Sequence, residues 1–153
     1  MRPVHIECSP DELLIKKLGF TRKFITHHQG KSRIFTTLNK NQNHLALADE
    51  DPGSVKTRYE ESLHLKEETE GIKYFTDKPG NEIYFLNGKL EDWIISICKK
   101  QNISLSEFGL PDNPEDLHDI INHRLPEFAT LLDELIKVKN PSILKLKSWL
   151  TKK

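Results

Sequence analysis

The chain has 153 residues, 36% of them hydrophobic and 30% charged, with 23 Lys and Arg balanced by 23 Asp and Glu. That length suits one domain, able to bury roughly two-thirds of the surface its unfolded form exposes. No membrane-length apolar run, signal-peptide core, internal repeat or low-complexity tract occurs, and Cys8 and Cys98 stand in no metal-ligand spacing, so the expectation is a cytoplasmic globular protein with reduced thiols.

Val4-His5-Ile6-Glu7 reads as a short first strand, followed by a helix through Leu13, Leu14 and Leu18 that Ser9 or Asp11 can cap and Gly19 ends. Lys23–His27 reads as a second strand, Gly30 turns the chain, and Ser32 can cap a helix with Ile34, Phe35 and Leu38 on its apolar face. The run Leu45-Ala46-Leu47-Ala48 is a buried third strand leading into Asp49. Such alternation predicts parallel strands with crossover helices, whose ligand sites lie beyond the strands' carboxyl ends.

Residues 56–70 form a polar, partly helical segment; Ile72–Phe75 and Ile83–Leu86 are strands around the turn Asp77–Asn81. A helix over Leu90–Cys98 follows, ended by Gln101-Asn102. Beyond it, helices are expected at Pro114–Asn122, Glu127–Val138 and Ser142–Trp149, bounded by Pro111, Pro126 and Pro141. The organisation is therefore an α/β domain over residues 1–100, with a mostly parallel sheet flanked by helices, and a helical extension over 101–153 packed on it as one compact unit.

The zero net charge hides segregation. Residues 1–42 carry eight basic against three acidic side chains and residues 137–153 six Lys and no acid, whereas residues 49–70 hold eight acids against three bases and residues 107–134 eight acids against one Arg. An acidic centre beside basic flanks suits a polyanionic substrate, although charge blocks also mark solvated helix faces.

Asp49-Glu50-Asp51 follows a buried strand and precedes Pro52-Gly53-Ser54. On an extended chain Asp49 and Asp51 point the same way while Glu50 faces elsewhere. Two such carboxylates resist joint ionisation without a cation, and hard oxygen ligands at a strand end suit Mg2+. The same tripeptide is also sound turn chemistry.

Taken in order, four motifs resemble those of Toprim domains. They are Glu7-Cys8-Ser9-Pro10-Asp11 after strand one, Gly30-Lys31-Ser32 before helix two, Asp49-Glu50-Asp51 after strand three and Leu90-Glu91-Asp92-Trp93 opening a late helix. The resemblance is to the Toprim domains of overcoming-lysogenization-defect (OLD) nucleases and small stand-alone Toprim-like proteins, and covers about the first 100 residues by motif order. It implies a Toprim-like (Rossmann-like) fold in which Glu7, Asp49 and Asp51 hold Mg2+ or Mn2+, with Asp11 and Glu91 as further acidic ligands. The family places glycine after the first glutamate; here Cys8 stands there.

Gly30-Lys31-Ser32 also matches the end of a P-loop, but Ile25 occupies the position where that motif needs glycine. Lys31 either offsets charge on a scissile phosphate or is an exposed turn residue. Gly30 and Ser32 join it as the expected substrate-binding turn. His27 and His28 are adjacent and on a strand point to opposite faces. With His5, His44 and His118 they read as surface or structural histidines, and Trp93 and Trp149 as core. Glu91 lies in the first turn of its helix, where the dipole favours any acid, yet it also stands beside the buried face.

The expected function is Mg2+-dependent phosphodiester hydrolysis of nucleic acid, DNA or RNA, in phage defence or nucleic-acid processing. Glu7, Asp49, Asp51 and Lys31 are the expected catalytic residues. The alternative is a non-catalytic Toprim-like binding or regulatory subunit acting with a separately encoded ATPase, as the resemblance to ATPase-linked OLD domains implies.

Overall fold

A computed structural model describes residues 1–152. Its centre is a six-stranded mixed sheet of order β2-β1-β3-β6-β5-β4, comprising β1 (Val4–Ile6), β2 (Ile25–His27), β3 (Leu45–Asp49), β4 (His64–Thr69), β5 (Ile72–Thr76) and β6 (Glu82–Leu86). The pairs β1–β2, β1–β3 and β3–β6 are parallel, while β4–β5 and β5–β6 are antiparallel. The helices are α1 (Ser9–Lys17), α2 (Lys31–Asn39), α3 (Arg58–Ser62), α4 (Leu90–Lys100), α5 (Pro114–Ile120), α6 (Leu125–Lys137) and α7 (Pro141–Thr151). This is the α/β, mostly parallel architecture the alternation predicted, Rossmann-like in its layering. Among the described residues no helix is long and apolar enough to cross a membrane.

Two-residue alternation divides the core. From β1, β3 and β6, the side chains of Val4, Ile6, Leu45, Leu47, Tyr84 and Leu86 join α1, α4 and the later helices in the larger apolar cluster. Ala46, Ala48, Ile83 and Phe85 face the other way, against Ile34, Phe35 and Leu38 of α2. Because β3 is covered on both faces, its sequence is a continuous apolar run rather than an alternating one.

The larger cluster also takes in Leu105, Leu117, Phe128, Leu131, Leu135, Ile143 and Leu146. The helices beyond residue 100 thus share one continuous core with the sheet. Asn113 and Asn140 cap α5 and α7 through their side chains, each followed by Pro at the first helical position.

Three local expectations are corrected. Ser32 does not cap α2: Gly30 is the N-cap, at φ 108°, and no side chain caps the helix. Neither Ser9 nor Asp11 caps α1, whose N-cap is Cys8. The second strand is shorter than expected, because Arg22–Phe24 form a 3-10 turn before it. The polar segment 56–70 holds the short helix α3, capped by a Thr57–Glu60 capping box, and then the edge strand β4. That strand pairs with β5 across Glu70-Gly71, whose φ values of 54° and 72° define a tight hairpin turn.

Candidate functional site

Parallel pairing sends β1 and β3 out of the sheet at the same edge, so Glu7, directly after β1, and Asp49, the last residue of β3, emerge side by side. The register Asp49↔Leu86 places the end of β6, and therefore the turn into α4, against the same edge. There the Leu90 backbone N–H donates to Asp49 Oδ1 at 2.9 Å. The first turn of α1 brings in Asp11, only 3% exposed, and the first turn of α4 brings in Glu91, 6% exposed.

The acids feel one another. Burial raises the Asp49 pKa to about 7, with Glu91, Asp51 and Glu7 pushing it further and the Leu90 N–H opposing. Asp11 is raised to about 8 by burial, then by Asp49 and Glu7, against the hydrogen bond from the Cys8 thiol. Burial also raises Glu7, with Lys31 opposing and Asp51 adding. Glu7 Oε1 and Glu91 Oε2 are buried without a hydrogen-bond partner. Groups like these sit poorly in a fold unless something charged satisfies them.

Asp49-Glu50-Asp51 does not run on as a strand. The Glu50 N–H still bonds Leu86 O, but Asp51 turns into the left-handed region at φ 47° and donates its N–H to Gly88 O at 3.0 Å. Glu50 pairs with Lys73 of β5, which holds its carboxyl below the usual range despite burial. Lys31, from the start of α2, donates to Asp49 O at 3.0 Å and Glu50 O at 3.3 Å, and its Nζ lies 3.6 Å from Asp51 Oδ2. Lys31 thus faces the acids and is no free turn residue. Gly30 and Ser32 flank it at the helix start.

Cys8 has φ −139° and ψ 167°, an extended conformation open to any residue, so no glycine is needed there. Its half-buried thiol lies against Asp11 and near Asp49; burial first, and then the charges of Asp11 and Asp49, push its pKa above the usual thiol range. Sequence reasoning missed His118. From α5, its Nδ1 stands 3.1 Å from Glu91 Oε1. Only the acidic neighbourhood of Asp116 and Asp119 marks it in sequence, which does not reveal that contact.

Three other histidines form a chain on the α2 face: His5 Nδ1 is 2.8 Å from His28 Nε2, and His5 Nε2 is 2.9 Å from His44 Nδ1. His5 is buried between its two neighbours. Trp93 and Trp149 are core residues, as the sequence indicated.

Among the described residues, no group of three or more His, Cys, Asp or Glu side chains is placed so that it could hold a metal ion. The acids at this end of the sheet present oxygen donors, two of them buried without a hydrogen-bond partner, and carboxyls whose pKa values rise through burial and mutual repulsion. No family model, curated protein or solved structure matches the chain. What the fold and site define is an α/β protein with a carboxylate-rich edge at the ends of β1 and β3, joined by the start of α4.

Proposed function

We propose that this chain is a Toprim-like phosphodiesterase that hydrolyses nucleic acid with Mg2+ or Mn2+. The observation that carries the reading is the pair of buried, unpartnered oxygens, Glu7 Oε1 after β1 and Glu91 Oε2 in the first turn of α4, at the end of the sheet where β3 ends in Asp49 and α1 carries Asp11 in its first turn. Carboxyls whose pKa values burial raises, beside two unsatisfied oxygens at one end of the sheet, support a cation as the missing partner. Glu7, Asp49 and Asp51 are the central residues that would hold it, with Asp11 and Glu91 completing the set. When bound, such an ion supplies Lewis acidity toward a phosphoryl oxygen and lowers the pKa of water.

The remaining work falls to the chain. Lys31, fixed by the Asp49 and Glu50 carbonyls, brings a positive charge to an otherwise acidic edge and offsets its repulsion of a polyanion. The uncapped start of α2, at Gly30, Lys31 and Ser32, offers backbone N–H groups of the kind that favour phosphate oxygens. The Leu90 N–H fixes the rotamer of Asp49 and keeps one of its oxygens oriented.

The test has two readouts. Titration calorimetry should show Mn2+ binding by the wild-type chain that Asp49→Ala with Asp51→Ala abolishes, and Mg2+ or Mn2+ should support cleavage of some DNA or RNA form. Failure of both binding and cleavage overturns the reading. Metal binding without cleavage of any nucleic acid retains the site and overturns the activity.

A further inference from the structure

Glu91 lies in the first turn of α4, yet it is not an ordinary dipole-favoured surface acid: its side chain is 7% exposed and its Oε2 is buried with no hydrogen-bond partner. Its other oxygen, Oε1, is held by His118 Nδ1 at 3.1 Å, from a helix 27 residues further along the chain. A carboxylate oxygen can only accept, so toward ionised Glu91 the Nδ1–H donates. The two groups line a cleft of about 670 Å³ between the starts of α4 and α5, together with Lys89, Asn113 and Glu115. His118 is 56% exposed on the cleft side. Glu91 therefore sits between two environments. One is the acidic edge, where the N–H of the preceding residue, Leu90, is bonded to Asp49; the other is a cleft between the start of α4 and α5 of the helical extension.

We infer that His118 is a positioning residue of the acidic site: from the helical extension it fixes Glu91 by one carboxylate oxygen and leaves the other unpartnered beside Asp49 for a divalent cation. The inference rests on the metal-site reading above and adds to it that the segment after residue 100 contributes a side chain to the site. An exposed ion pair would join two solvated groups and contribute little. Here one partner is buried and half-satisfied, so losing the imidazole frees the carboxylate to rotate or to bond elsewhere. Groups that hydrogen-bond a metal ligand set its orientation, and their removal typically weakens metal affinity about 10–100-fold.

The experiment is Mn2+ titration of the full chain, with thermal unfolding in EDTA, for wild type, His118→Ala, His118→Asn and Glu115→Gln. Asn can place an amide N–H near the position of Nδ1, whereas Ala cannot. Glu115→Gln alters charge in the same cleft without removing either partner of the His118–Glu91 bond. The expected result is Mn2+ affinity lowered about 10-fold or more by His118→Ala, largely restored in His118→Asn and unchanged in Glu115→Gln, with all four unfolding at similar temperatures without metal. Wild-type Mn2+ affinity in His118→Ala overturns the positioning role while leaving the metal site standing, as does equal weakening in His118→Ala and His118→Asn. Equal weakening by Glu115→Gln also overturns it, because the effect would then be one of cleft charge. Absence of Mn2+ binding by the wild type removes the site reading and this role together.

Discussion

Replacing Asp49 by Asn should stabilise the metal-free protein at alkaline pH, the reverse of the usual result of removing a half-buried, hydrogen-bonded side chain. The Asp49 pKa is raised from 3.8 to about 7, chiefly by burial and then by Glu91 and Asp51. Between those two values the folded state binds more protons than the unfolded state, so the contribution of Asp49 to stability falls as pH rises. At about 1.36 kcal/mol per unit, the cost is about 4 kcal/mol at pH 8 and less than half of that at pH 5. Asn keeps the volume and an oxygen to accept from the Leu90 N–H, and it also relieves the repulsion that Asp49 exerts on Asp11. Urea or thermal unfolding in EDTA should show Asp49→Asn ahead of wild type at pH 8 by on the order of 2–4 kcal/mol, roughly 5–10 °C for a chain of this size. At pH 4 the two should converge. A variant no more stable than wild type at pH 8, or one with the same gain at both pH values, would refute the argument that mutual repulsion and burial strain this site.

Opposite linkage is expected at His5. Burial and then His28 and His44 lower its pKa to about 4, so stability present above pH 6.5 is lost as the pH falls toward 4, by about 3 kcal/mol. Urea titrations at pH 7 and pH 4 should show that loss in wild type and a smaller one in His5→Asn. Gly71→Ala should cost about 1–3 kcal/mol in thermal unfolding, because φ is 72° and the new methyl would sit 2.8 Å from Trp93 Cδ1. Phe128→Ala, at a wholly buried position in the cluster shared by sheet and helical extension, should cost about 3–5 kcal/mol. Its unfolding should remain a single transition by both far-UV and near-UV circular dichroism; separate melting of the helical segment would contradict the shared core.

The amino-acid sequence by itself determined the parts of this protein that depend on local pattern. Leu45–Ala48 read as a buried strand, the apolar spacing of Leu90, Trp93, Ile94 and Ile97 as a helix with one buried side, and Pro114 and Pro141 as places where helices begin. The order of strands and helices also placed Glu7 and Asp49 at carboxyl ends, since that follows from parallel pairing alone. Other features were decided only when distant segments met. The polar run His64–Thr69 has no apolar alternation and becomes a strand because β5 offers it backbone partners across the Glu70-Gly71 turn. Two-residue alternation failed at Asp51, where the bond to Gly88 O draws the chain into a left-handed turn and Lys31 arrives beside it. His118 looked like any surface histidine because nothing within a few residues of it in the chain records Glu91. Local pattern fixes what a segment can bury, but the pairing of charged groups depends on distances set by the packing of whole elements, and here that packing carries a histidine of the helical extension to a carboxylate at the sheet's edge.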